Sequence, residues 1–128
     1  MATGCIKGIT KVLDIQNTNN LIIIKNSNFG IFLLLYWHNS KNNRHNIIQC
    51  GKKKVLISEF PNNEIYHEFI LEEKYPNSMG GIVFKYKEKD FLAVSATYGL
   101  IQLCHLEHKQ VFLNKIKRFI YIFFCKME

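Results

Sequence analysis

Gly81-Ile-Val-Phe84-Lys-Tyr86-Lys-Glu-Lys-Asp90-Phe-Leu-Ala-Val-Ser95-Ala-Thr-Tyr-Gly99-Leu-Ile-Gln-Leu-Cys104-His105 alternates short apolar runs with polar breaks. Ile82 to Tyr86 and Phe91 to Ser95 combine β-branched and aromatic residues, a mixture that suits a pleated, half-buried surface. The charged Lys87 to Asp90 and the segment Ala96 to Gly99 read as turns. Leu100 to Leu106 and Val111 to Leu113 complete the series. Four short strands with tight turns predict an antiparallel meander.

Part of this stretch has a counterpart upstream. Asn20 to Tyr36 and Asp90 to His105 each hold a polar turn residue, an apolar run, a break ending in an aromatic and glycine, and a second apolar run. Gly30 and Gly99 lie 69 residues apart, and Asn20 and Asp90 lie 70 apart. Both copies predict a strand, a tight reversal and a returning strand. In the first copy these are Leu21 to Ile24, Lys25 to Gly30, and Ile31 to Trp37, with Asn28 and Gly30 suited to positive φ in a hairpin. An internal repeat implies an array of similar sheets.

The remaining chain keeps the same rhythm. Ile9 to Ile15 alternates as a strand before the turn-rich Gln16 to Asn20. His38 to His45 is polar and aperiodic and reads as an exposed loop. Short strands are expected at Ile47 to Cys50 and Val55 to Ile57, with a turn over Ser58 to Asn63. Glu64 to Glu73 fits a further strand or, through Ile65, Phe69 and Glu72, a short helix, and its β-branched and aromatic content favours the strand; Pro76 to Gly81 is the clearest break. Residues 1–114 form the meander region. Residues 115–128 form a basic-aromatic tail, mixing Lys115, Lys117 and Arg118 with Phe119 to Phe124, in which the rhythm stops.

Composition agrees with an all-β protein. The 128 residues are 48% apolar and 13% aromatic, which excludes a predominantly disordered chain. Both prolines, Pro61 and Pro76, sit in polar connections, where they interrupt no ladder. Two apolar runs, Ile31 to Trp37 and Phe119 to Cys125, fall well short of the roughly 20 residues a membrane-spanning helix requires. Cys5, Cys50, Cys104 and Cys125 are widely spaced, with no C-x-x-C pair and no signal-peptide pattern, which predicts reduced thiols in an intracellular protein, cytoplasmic or nuclear.

The net charge of +7 favours acidic partners. Only two arginines, Arg44 and Arg118, are available for bidentate contacts to guanine or phosphate, which argues against sequence-specific readout. Lysine beside aromatics, as in Phe84-Lys-Tyr86-Lys, leaves single-stranded nucleic acid as the alternative partner class, because bases stack on rings beside backbone charges. Against it, Phe84 is expected to pack inward while Lys85 and Lys87 face water.

Residues Gly81 to Leu113 resemble one WD-repeat blade. Ile82-Val83-Phe84 is similar to the first strand of that family, Leu92 to Ser95 to the second, Thr97-Tyr98-Gly99 to the hairpin and Leu100 to Leu103 to the third. Cys104-His105 stands at the signature Trp-Asp dipeptide, and the hairpin aspartate is replaced by Thr97 or Tyr98. The repeat-signature positions are therefore Phe84, Ser95, Gly99, Cys104 and His105, with Gly30 in the weaker upstream copy. The resemblance implies two or three blades of an incomplete β-propeller and a non-enzymatic scaffold that binds other proteins as a complex subunit. Because a repeat array generally needs about three units to be stable, the chain is part of a larger propeller, pairs with another chain, or is a different small β domain. The change of character after Leu113 favours the first.

No catalytic motif accompanies this pattern. Cys104 and His105 are adjacent in a strand and point to opposite faces, so the imidazole is badly placed to activate the thiol. Glu72-Glu73 has no acid-base context. Gly80-Gly81 precedes a strand, unlike a phosphate loop, which opens a helix. His45 with Cys50, and Cys104 with His105 and His108, lack standard zinc spacings, and Cys104 falls in the apolar phase of its strand. The expectation is a protein with no enzyme activity, cofactor or metal.

Overall fold

A computed structural model of the chain describes residues 2–4, 9–13, 16, 21–24, 30–71, 78–96 and 100–112. Eleven strands account for about three quarters of them: β1 (Ala2–Gly4), β2 (Thr10–Leu13), β3 (Leu21–Ile24), β4 (Ile31–Asn39), β5 (Arg44–Gly51), β6 (Lys54–Phe60), β7 (Ile65–Ile70), β8 (Ser78–Tyr86), β9 (Lys89–Ala96), β10 (Leu100–His105) and β11 (Gln110–Phe112). They form three antiparallel meanders, β1-β2-β3, β4-β5-β6-β7 and β8-β9-β10-β11. The protein is all-β, as the apolar alternation and turn chemistry predict.

Several boundaries differ from the sequence reading for one physical reason: cross-strand pairing carries strands into polar residues. His38, Asn39, Arg44 and His45, expected in a loop, end β4 and begin β5 as the pairs His38↔His45 and Asn39↔Arg44. Ser58 to Phe60 extends β6 by pairing with β5. Ser78 and Gly80, within the expected break, already pair with Ala96 and Ser95.

A larger correction concerns Leu21 to Trp37. β3 pairs with β2, whereas β4 pairs with β5 in the next sheet, so this stretch crosses between sheets where a hairpin is predicted. Its downstream counterpart, β9 and β10, does form a hairpin, paired from Ala96↔Leu100 to Phe91↔His105. The 69-residue spacing therefore relates two segments with different topology.

The structural repeat has a different period. Corresponding strands of the second and third sheets begin at Ile31 and Ser78, 47 residues apart; Arg44 and Lys89, 45; Lys54 and Leu100, 46; and Ile65 and Gln110, 45. Their registers agree as well. The second sheet has cross-strand rows Leu33↔Cys50↔Val55, Leu35↔Ile48↔Ile57 and Trp37↔Asn46↔Glu59. The third has Gly80↔Ser95↔Ile101, Ile82↔Ala93↔Leu103 and Phe84↔Phe91↔His105. Even the irregularity between Ile31 and Leu33 recurs between Ser78 and Gly80. The first sheet fits as a shorter unit: Thr10↔Ile24 and Val12↔Ile22 correspond to Val55↔Phe69 and Ile57↔His67.

Each sheet lies against the next. Trp37, Ile48, Cys50, Val55, Ile57 and Phe69 of the second sheet form one core with Leu92, Val94 and Cys104 of the third, and Leu71 and Leu106 join them. The first strands run close, β1 beside β4 and β4 beside β8. Gly81 sits at the second of these approaches, where a Cβ would lie 3.0 Å from both Leu33 Cδ2 and the Ala93 carbonyl oxygen, so a larger residue would require these neighbours to give way. On its other face the second sheet buries Ile47, Gln49 and Leu56, and Gln49 Nε2 donates to Thr10 Oγ1 of the first sheet at 2.6 Å. Among the described residues, no helix is long and apolar enough to cross a membrane.

Candidate functional site

The alternation of β8, β9 and β10 sorts the sequence-predicted positions onto two faces. Cys104 shares the row Val83↔Leu92↔Cys104↔Val111 and is fully buried against the second sheet. Burial pushes its thiol up to about 12, and Cys50, desolvated in the same core and then repelled by Cys104, is pushed up to about 12 as well. A thiol held protonated in this way is a packing group.

Phe84, Ser95 and His105 lie together on the opposite face. Phe84 stacks on Phe91 with ring centroids 5.7 Å apart, and Phe91 meets the edge of His105 at 4.8 Å. Ser95 Oγ donates to the Gly80 carbonyl at 3.2 Å, tying β9 to β8 beside the bulge. The His108 amide donates to His105 Nδ1 at 3.2 Å, and the two rings meet edge to face at 4.3 Å. Burial first, and then the nearby His108, hold His105 below the ordinary imidazole range. Gly30 immediately precedes β4 in the second sheet, away from this group. Gly99 lies outside the described residues.

The apolar content of this face was not singled out from the sequence. Ile82, Phe84, Phe91, Ala93, Ile101 and Leu103 form its rows; Ile82 is 46% exposed and the others are partly buried. Their counterparts Leu35, Trp37, Asn46, Ile48, Val55 and Ile57 occupy the face of the second sheet that the third sheet covers. Ile48, Val55 and Ile57 are there at 0% exposure. The third sheet thus leaves partly exposed the same rows that its neighbour buries. A legible signal was the i, i+2 series Ile82, Phe84, Tyr86 followed by Phe91, Ala93 and Ser95 in the paired strand.

A second polar grouping surrounds the β4–β5 hairpin. His38 and His45 stack at 4.8 Å, Tyr36 Oη is 2.5 Å from His45 Nδ1, and His38 Nε2 is 2.9 Å from Asn43 Oδ1. Two imidazoles already engaged with side chains fall short of a zinc ligand set. Among the described residues, no three His, Cys, Asp or Glu side chains are grouped to hold a metal ion. His45 is exposed while Cys50 is buried on the other face, so this candidate pair does not converge.

No protein-family model matches the chain, and no curated protein matches its sequence.

Proposed function

We propose that this chain is a non-enzymatic protein-interaction scaffold whose stacked meanders resemble part of a WD-repeat-type propeller. The observation that carries this reading is the apolar face of the third sheet that the second sheet does not cover, with Ile82 46% exposed on the edge strand β8 and Phe84 and Phe91 stacked beside it. A contiguous apolar face on a β-sheet is a docking surface or a cause of aggregation. Its correspondence with a buried face of the second sheet supports docking. The 45 to 47 residue period is also close to the 40 to 50 residues of propeller repeats. Free, buried Cys50 and Cys104 support an intracellular setting, cytoplasm or nucleus.

The test places a photo-crosslinking amino acid at Ile82 in the full chain, identifies the protein captured in cells, and reconstitutes the pair from purified components. Binding lost on Leu103→Glu and retained at raised salt supports the scaffold. Binding of a single-stranded oligonucleotide that weakens steeply between about 50 and 200 mM salt would instead place the chain among nucleic-acid binders. Lys87 Nζ lies 5.4 Å from the centre of the Tyr86 ring, and Lys109 Nζ 4.6 Å from that of Tyr66, so both rings already engage lysines of this chain.

A further inference from the structure

We propose that Tyr36, His38 and His45, on one face of the β4–β5 hairpin, bind a divalent transition-metal ion, copper(II) foremost. The site lies on the second sheet and is independent of the scaffold reading.

The register brings the three donors together. His38 and His45 stand directly opposite each other across the hairpin, and Tyr36, two residues earlier on β4, shares their face and reaches His45 on the diagonal. The His45 ring lies 4.8 Å from that of His38 and 5.9 Å from that of Tyr36, at interplanar angles of 22° and 23°. All three residues are exposed, Tyr36 at 56%, so an ion reaches them without disturbing the core.

Hydrogen bonding prepares these donors. With Tyr36 Oη donating to His45 Nδ1 at 2.5 Å, that nitrogen carries its lone pair towards the phenol oxygen. Two donors bound cis at about 2.0 Å stand roughly 2.8 Å apart, so this pair opens only slightly when an ion takes the place of the shared proton, which leaves to water. His38 Nε2 donates to Asn43 Oδ1 at 2.9 Å, which puts the His38 lone pair on Nδ1 and steadies the ring, as outer hydrogen bonds do for metal-bound imidazoles. A small rotation of this exposed ring brings Nδ1 to the third position.

Two imidazoles and a phenol do not make the closed tetrahedral set of structural zinc. Copper(II) favours tetragonal nitrogen and oxygen ligands and heads the divalent affinity order, and water completes its shell. The two cations of the same hairpin do not oppose it: Lys41 is paired with Glu107, and Arg44 with Glu59.

The test titrates copper(II) chloride into the full chain carrying Cys5→Ser and Cys125→Ser, which removes two competing thiols. One equivalent is expected to bind, with electron paramagnetic resonance showing coupling to two imidazole nitrogens and a phenolate-to-copper band appearing in the visible spectrum. Tyr36→Phe should abolish that band and keep the coupling. Asn43→Ala should weaken binding about tenfold. His38→Gln and His45→Gln should each weaken it further and leave coupling to one nitrogen, whereas His67→Gln and His108→Gln should change nothing. Circular dichroism and Trp37 fluorescence check folding. If a variant unfolds, paramagnetic broadening of amide signals decides the matter in the unsubstituted hairpin, and it should centre on residues 36–38 and 43–45. Absence of saturable binding overturns the proposal. So does undiminished binding by His38→Gln or His45→Gln, or broadening centred elsewhere, since copper would then be held by other groups.

Discussion

The indole Nε1 of Trp37 donates a 2.9 Å hydrogen bond to Oδ2 of Asp90, joining the second sheet to the third through two side chains that are 2% and 4% exposed. Lys85 Nζ stands 3.8 Å from the other carboxylate oxygen. The bond is buried at one end of the core shared by Ile48, Leu92 and Cys104, so it fixes where one sheet sits on the other. Apolar packing alone tolerates sliding; a directional bond to a buried carboxylate does not.

Asp90→Ala is expected to destabilise the chain by about 2 to 4 kcal/mol, since it leaves the indole N–H buried without its acceptor and removes a charge-assisted bond. Asp90→Asn keeps an oxygen acceptor and should cost less. Trp37 is the chain's single tryptophan, so urea titration followed by its fluorescence reports directly on this contact. Equal stability of Asp90→Ala and wild type would refute the role.

The β8–β9 hairpin turns on Lys87 and Glu88, with φ of 46° and 60°. Positive φ at both central residues is the type I′ pattern, which favours Asn-Gly. Lys87→Asn combined with Glu88→Gly is expected to raise stability by about 0.5 to 1 kcal/mol by relieving that strain. The check is a higher urea midpoint with an unchanged slope.

Gln49 and Gln102 are both buried, yet they differ in what they reach. Gln49 Nε2 bonds Thr10 Oγ1 of the first sheet, although among the described residues the Oε1 of both glutamines lacks a hydrogen-bond partner. Gln102 corresponds in register to Leu56, which is buried at the matching row of the second sheet. Gln102→Leu is expected to stabilise by roughly 1 kcal/mol and Gln49→Leu to destabilise by a similar amount, read by thermal unfolding.

Stability should fall on acidification below neutrality. His67 and His105 are both held below their ordinary value of 6.5, chiefly by burial, with Lys109 adding to the effect at His67 and His108 at His105. A lowered folded-state value means the unfolded chain binds protons first, so stability is fully present above about pH 6.5 and declines as pH drops towards the folded values. Denaturation midpoints at neutral and mildly acidic pH should therefore separate for wild type. His105→Gln should narrow the gap.

Cys50 and Cys104 should resist thiol reagents in the native state. With both thiols pushed up to about 12 by burial, a variant carrying Cys5→Ser and Cys125→Ser is expected to show essentially no labelling until denatured. Rapid native labelling would mean that the core between the second and third sheets opens readily.

Much of the fold could be read locally. Leu21 to Ile24 is a strand with the expected bounds, the turn after Tyr86 falls where charged residues interrupt the apolar runs, and the turn after β10 begins one residue earlier than expected, after His105. The separation of Cys104 from His105 also follows from strand geometry, and the structure buries one in the intersheet core and places the other beside Phe91. The apolar face of the third sheet was less legible. Phe84 and Ile82 look alike in sequence whether a second layer covers them or not.

By itself, the sequence determined that the chain is built of short antiparallel strands, because side-chain alternation and turn residues act within a few positions of one another. It also determined which residues share a side of each strand. Tertiary structure decided which strands are partners. The apolar runs flanking residues 25–30 are equally compatible with a hairpin and with a crossing between sheets, and what separates β3 from β4 is the pairing of one with β2 and of the other with β5. Pairing over long loops depends on the whole apolar surface covered. For the same reason the 45 to 47 residue repeat emerged from register, row by row, where similarity of residues had suggested 69.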